Sequence, residues 1–256
     1  MRYKYIINPK YEALTDFIQA LPQKFEKEGT MIYHSRNQVN IFMLSGEKIV
    51  VKRFRRPLLH QRFDYTFIRP SKAKRAYTYA MKLQALDIST PDPIACIEEY
   101  VWGLFRYGYL VTSFCGDPDV RILREEWEEH DALFDAVARF IVKMHEKGFL
   151  HGDTNLSNFL YHKTPEGYHI TTIDINRSHF VEHPSREECL KSLVRLTHVR
   201  PALQKLVGRY AELRGWNPQE SIKAVIGMLD HFERKRELRH KMTKPKGYFP
   251  LRRHMK

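Results

Sequence analysis

Disulfide chemistry is the first thing this sequence leaves out. Cys96, Cys115 and Cys189 are odd in number, widely spaced and never form a CxxC pair, which excludes a disulfide framework and a structural zinc site and leaves the thiols as small core residues. Long apolar runs are missing as well. No stretch approaches the ~18 consecutive apolar residues of a membrane-crossing helix, and Met1 to Leu14 mixes Lys, Arg, Tyr and Glu where a signal peptide would be apolar. The expected location is therefore the cytoplasm. No internal repeat or low-complexity tract is present, which excludes solenoids and linker arrays. Acidic residues are few against 43 Lys and Arg, giving a formal net charge of +13. That excess points to an anionic partner: nucleic acid, an acidic membrane face or a phosphorylated substrate. Charge alone does not choose among them.

What is present suffices for a folded core, since 43% of 256 residues are hydrophobic, enough for one large domain or two small lobes. From Gln38 to Phe54, alternating Val39, Ile41 and Met43, a Ser45-Gly46-Glu47 turn and Ile49-Val50-Val51 predict a hairpin ending in Lys52. Between Ser71 and Leu86 the positions Ala73, Ala76, Tyr77, Ala80 and Leu83 recur at helical spacing, and Pro91 and Pro93 bar continuation. Strands are expected at Pro93 to Ile97 and Leu104 to Phe114, before a break at Cys115-Gly116-Asp117-Pro118. Beyond it, Leu133, Val137, Phe140, Ile141 and Met144 mark a helix stopped by Gly148. A polar loop at His151 to Asn158 leads into a small hairpin through Phe159 to Ile173, and helices separated at Pro201 and Gly215 to Pro218 fill the rest. The tail from Arg239, with Lys241, Lys244, Lys246, Arg252 and Arg253, reads as basic and less ordered.

Phosphoryl transfer needs a cation on the nucleotide phosphates, two oxygen-rich metal ligands and a carboxylate that accepts the acceptor hydroxyl's proton. Lys52, Asp153, Asn158 and Asp174 supply these in that order along the chain. In His151-Gly152-Asp153-Thr154-Asn155-Leu156-Ser157-Asn158 the Asp and the last Asn are five apart, the separation found in a kinase catalytic loop. Asp174 follows three β-prone residues, Thr171-Thr172-Ile173, after the hairpin. His151 and His145 read as structural, hydrogen-bonding backbone to orient the loop.

On these residues the chain resembles the kinase superfamily and, more narrowly, the bacterial lipopolysaccharide core kinases that phosphorylate Kdo or heptose sugars. The likeness runs from about Ser35 to Arg177, through Arg36-Asn37, Ile49 to Phe54, Ser71 to Pro93, His145 with Gly148, His151 to Leu160 and Ile173 to Arg177. It implies an α+β, bilobal protein-kinase-like fold: a small β-rich lobe with one helix over residues 1–116 and a larger helical lobe over 117–256. It further implies ATP as donor, magnesium, an inner-core sugar hydroxyl as acceptor, and work at the cytoplasmic face of the inner membrane. By resemblance Lys52 binds the nucleotide phosphates, Asp153 is the general base, and Asn158 and Asp174 hold the metal. Thr112, Ser113, Phe114 and Cys115 would form the hinge facing adenine, and backbone amides with Arg36 or Asn37 would contact phosphates.

Two departures stand out. No GxGxxG precedes Lys52, whose place is taken by Ser35-Arg36-Asn37-Gln38, and no carboxylate lies between Ser71 and Leu86, where protein kinases carry the Glu that pairs with the Lys. Glu98, Glu99 or Asp64 is then the expected partner of Lys52. Asp174-Ile175-Asn176 keeps the metal ligand without the Phe-Gly pair, so switching by a flip of that triplet is not expected. The stretch from Lys52 to Arg75 carries nine cations against one acid, Asp64, with Phe54, Phe63, Tyr65 and Phe67 interleaved; this suits an anionic glycolipid at a bilayer surface or an RNA. The readings left open are a lipopolysaccharide sugar kinase, a protein, tyrosine or small-molecule kinase, and a non-catalytic scaffold bound to RNA or membrane. Asn155, where protein kinases carry Lys, weighs against a protein acceptor.

Overall fold

The computed structural model describes residues 1–243, with side chains to Arg239. Of the basic tail, Lys244, Lys246, Arg252 and Arg253 lie outside the described residues, as does the side chain of Lys241. Six strands form one antiparallel sheet in the order β1-β5-β6-β4-β3-β2: β1 (Arg2–Ile7), β2 (Thr30–His34), β3 (Gln38–Leu44), β4 (Glu47–Arg53), β5 (Pro93–Val101) and β6 (Leu104–Ser113). Three helices accompany it, α1 (Thr15–Lys24), α2 (Leu59–Phe67) and α3 (Lys72–Ala85), so two are added to the one the sequence suggested.

Alternation along β4 decides what each face of the sheet does. Ile49 and Val51 point to one face and are buried with Phe42, Val111 and, from α1, Ile18 and Leu21. Val50 and Lys52 point to the other, where they line a cleft. Helix α3 covers the far end of that second face: Ala73, Ala76 and Tyr77 pack on Phe54 and Cys96. It starts at Ser71, whose side chain caps the Lys74 amide.

The rest of the chain is mainly helical: α4 (Ile122–Glu125), α5 (Asp131–Glu146), α6 (Arg186–Leu193), α7 (Arg200–Leu213) and α8 (Pro218–Thr243). Two small sheets complete it, one pairing β7 (Phe149–Leu150) with β10 (His179–Phe180), the other pairing β8 (Phe159–Thr164) with β9 (Gly167–Thr172). Pro201 sits in the first turn of α7 rather than between helices, where its missing N–H costs nothing. Ala80 and Leu83 of α3 are buried in the same core as Val137 and Ile141 of α5 and Phe159 of β8. Burying a side chain such as Leu83 is worth about 1.5–3 kcal/mol, so α3 is fastened to both halves. Cys96 and Cys189 are buried thiols as expected, whereas Cys115 is only half-buried, at the cleft.

Candidate active site

The cleft between the sheet and the helical half has a volume of about 570 Å³. Its roof is Val39, Val50 and Lys52, its back edge Thr112 to Cys115, and its floor Asn158, Leu160, Ile173 and Asp174. The four hinge residues read from the sequence, together with Asn37, Lys52, Asn158 and Asp174, thus share one cavity. Arg36 and Asp153 do not line it; they line an adjoining cavity of about 450 Å³ that also touches Asp174. A larger hollow of about 1080 Å³, between α5, β9 and the loop after α3, holds none of these groups.

Lys52 Nζ donates to Asp174 Oδ1 at 2.8 Å across the cleft. This corrects the expected partners. Tyr100 donates to Glu98 at 2.9 Å, Arg106 binds Glu99 at 2.9 Å and Arg69 binds Asp64 at 3.2 Å. The reason is topological: Glu98 and Glu99 sit on β5, which β6 separates from the strand of Lys52. Asp174 holds a left-handed backbone, φ 55° and ψ 46°, a conformation that Asp tolerates better than most residues, and this turns its carboxylate toward Lys52. Burial would raise its pKa, but the Lys52 ammonium and the Asn176 amide outweigh burial and hold the carboxyl below the usual carboxylate range.

The loop beneath is pinned from several sides. The Asp153 amide donates to His151 Nδ1 at 3.1 Å, and His151 Nε2 faces the Ile173 carbonyl at 3.0 Å. With Nδ1 accepting, Nε2 must carry the proton, so the ring is neutral, in keeping with a pKa lowered by burial. It therefore links the Asp153 loop to the segment that presents Asp174. Gly152 is required here because a Cβ would lie 2.2 Å from the Arg177 carbonyl oxygen. Asn158 Nδ2 donates to the Asp153 carbonyl at 2.8 Å, which commits the amide nitrogen to the loop and leaves the oxygen for the cleft. His145 lies deeper, contacting Tyr210 Oη at 2.8 Å and Ser192 Oγ at 3.0 Å. Burial drives its pKa down to about 3. Thr154 in turn donates to the Ser192 carbonyl, so His145 supports the loop from below.

Two residues escaped the sequence reading. Arg177 Nη1 lies 3.3 Å from Asp153 Oδ2 and Arg195 Nη2 lies 3.2 Å from Oδ1, so a guanidinium flanks each carboxylate oxygen. Arg177 stood within the quoted Asp174 motif without a role. Arg195 comes from the connection after α6, and no local pattern marks it.

A β-rich half and a helical half closing on a Lys–Asp pair, with an Asp–Asn loop below, define a protein-kinase-like phosphotransferase. The chain belongs to the Lipopolysaccharide kinase (Kdo/WaaP) family, whose profile matches residues 24–209, and it is accordingly a lipopolysaccharide core kinase. Among solved structures it is similar to "WaaP in complex with acyl carrier protein", with a TM-score of 0.62 at 17% identity over 94% of this chain and 100% of that one. It is also similar to the Rio2 kinase of Chaetomium thermophilum in its ADP/Mg2+-phosphoaspartate complex, with a TM-score of 0.49 at 14% identity over 90% of this chain and 81% of that one. Comparison with curated protein sequences yields no match.

Proposed function

We propose that this kinase moves the γ-phosphoryl group of ATP to a sugar hydroxyl of a lipopolysaccharide inner-core precursor, with Kdo on lipid A as the acceptor. The observation that carries this reading is the meeting of the two cavities at Asp174: one fits a nucleotide, and the other brings Asp153 to where an acceptor would lie. Residues 1–116 would act as the nucleotide-binding lobe and 117–256 as the lobe that holds metal and base. The roof valines and Leu160 suit an adenine ring, the hinge backbone suits its edge, and Lys52 supplies a point charge for phosphate. Asn37, and Arg36 from the neighbouring cavity, would reach the phosphates where a glycine loop is lacking.

The donor set fits magnesium. The chain offers one carboxylate, Asp174, and one amide oxygen, Asn158, and magnesium bound in this way takes its other ligands from phosphates and water. When bound, the ion would neutralise charge developing on the phosphates. Asp153, steadied by Arg177, Arg195 and the His151 hydrogen bond, would accept the acceptor hydroxyl's proton. Lys72, Arg55 and Arg56 line the same cavity as Asp153 and would receive the acceptor's phosphates or carboxylates. Partial burial and the guanidiniums of Arg177, Arg75 and Arg69 outweigh the Asp174 carboxylate and hold the Lys72 ammonium below its ordinary pKa, a surplus of positive charge that an anionic acceptor would relieve.

Among the described residues no helix is long and apolar enough to cross a membrane. Access to a lipid acceptor would then come from peripheral attachment at the cytoplasmic face of the inner membrane. ATP consumption by the purified chain with Kdo–lipid A, with a heptosylated acceptor and with protein substrates tests the proposal. Phosphate is expected on the Kdo of the first. Phosphorylation of protein or of heptose alone would refute the assignment.

A further inference from the structure

Helix α2 is turned the wrong way for a soluble surface. Tyr65 faces inward and packs edge-on against Phe105, with ring centroids 5.4 Å apart. On the same side Arg62 Nε donates to the Phe105 carbonyl at 2.7 Å and Thr66 accepts from the Phe105 amide at 2.9 Å. These contacts fix which face is outward. Leu59, Phe63 and Phe67, four residues apart in turn, form a single stripe on that outer face, and Ile68 extends it. Their exposures are 68%, 53%, 66% and 71%. The rings of Phe63 and Phe67 lie 4.7 Å apart, so they cover one another and little else.

Cations frame this stripe. Arg55 and Arg56 precede the helix and are exposed, Arg69 follows it, and Lys74 stands one turn into α3. Asp64 is the one acid on the helix, and Arg69 neutralises it at 3.2 Å. An apolar outer stripe with a positive collar matches the layered chemistry of an anionic bilayer, where acyl chains take the rings and headgroup phosphates take the guanidiniums. The stripe is carried on the outside of a helix, and at its end Phe67 and Ile68 edge a hollow that also gathers Lys4, Arg69 and Lys74, which adds cations beside the apolar side chains. The inner flank of the same helix, through Gln61 and Tyr65, and the Pro57-Leu58 segment that leads into it wall the cavity that contains Asp153.

We infer that α2 is a membrane-seating helix, inserting Leu59, Phe63, Phe67 and Ile68 into an anionic lipid surface so that the Asp153 cavity opens at headgroup height. The inference rests on the lipid-acceptor reading given above, but its test does not depend on turnover. The full chain is mixed with vesicles of phosphatidylethanolamine containing phosphatidylglycerol, and with vesicles of phosphatidylcholine alone, and the bound fraction is measured by flotation. Binding is expected to the first and to fall with salt. The double variant Phe63→Ser/Phe67→Ser is expected to lose at least about tenfold in vesicle affinity while turning over a deacylated, water-soluble acceptor at the rate of the unaltered chain. Should that variant misfold, Phe63→Trp reports in its place, with a blue shift of its emission on adding anionic vesicles. Equal binding by the double variant, an unshifted emission from Phe63→Trp, a stripe found buried between two copies of the chain, or its capture by acyl carrier protein with vesicles left unbound would each overturn the inference. If no acceptor is turned over yet the stripe still drives vesicle binding, the substrate assignment fails and the seating helix stands.

Discussion

The two cavities that meet along Asn37, Phe54, Asp174 and Asn176 differ sharply in the rest of their walls. The one beneath Val39, Val50 and Leu110 is walled by aliphatic side chains and holds one ammonium, already paired. The one beside Asp153 is polar and gathers Arg36, Arg55, Arg56, Lys72 and Arg177. A single cation suffices where a divalent metal shares the load of phosphate charge, whereas many cations are needed where an acceptor brings several anionic groups and no metal. The contrast teaches that positive charge is concentrated on one side of Asp174, which on the proposed reading is the acceptor side, while the other side is shaped mainly by apolar walls.

Breaking this contrast should have graded effects. Asp153→Asn removes the proton acceptor while keeping its shape, and turnover is expected to fall about 10²–10⁴-fold with ATP affinity unchanged by calorimetry; a variant that turns over at full rate refutes the assignment of the base. Lys52→Met acts on the other cavity. It should cost about 10²-fold in kcat/KM for ATP and leave the acceptor KM alone. The same change carries a stability signature: because the Asp174 carboxyl sits below its unfolded value, the pair stabilises the fold above the ordinary carboxylate range and loses that contribution as acid protonates it. Denaturant midpoints measured from about pH 7 down to about pH 3 should therefore drop less in Lys52→Met than in the parent chain, and parallel curves would show that the ion pair is not formed. Lys72→Gln and Arg56→Gln sharpen the acceptor side. Each is expected to raise the acceptor KM by about tenfold without moving that for ATP, and a shift in the ATP value instead would erase the distinction between the cavities.

The smallest effect at neutral pH belongs to His145. Its pKa of about 3 lies under the unfolded value of 6.5, so below pH 6.5 the unfolded chain binds a proton that the native chain refuses. Stability should fall as pH drops through that window, by about 1.4 kcal/mol per unit from this one group, and be flat above it. His145→Gln, measured by urea unfolding from about pH 7 down to about pH 4, should flatten the slope. An unchanged slope would locate the acid sensitivity elsewhere.

Much of this was legible in the chain because it is local. The β3–β4 hairpin, α3, the Asp153–Asn158 loop and the β8–β9 hairpin each carry their own period or turn residues. What was not legible depends on what lies across the fold. Strand β2 is exposed at every position and shows no alternation, whereas α1 and α2 do repeat apolar residues at helical spacing, in α1 across an interior Pro22 and in α2 on the outer face amid a run of cations, where the spacing does not announce a core helix. Lys52 and Asp174 are 122 residues apart, and their pairing is set by sheet order rather than by any motif. Arg195 reaches Asp153 only because α6 packs under the loop.

Protein kinases can be silenced by moving the first helix, which withdraws the Glu that holds the Lys. Here α3 has no carboxylate to withdraw, and Ala80 and Leu83 root it in the helical core. Lys52 takes its counter-ion from Asp174, whose following turn is held by buried Ile175 and pressed against Gly152. The parts of a conventional on–off lever are thus fused into one block. The lysine's counter-ion has thereby moved from the sheet-side helix to the opposite wall, so that one ion pair of 2.8 Å ties the roof of the cleft to its floor.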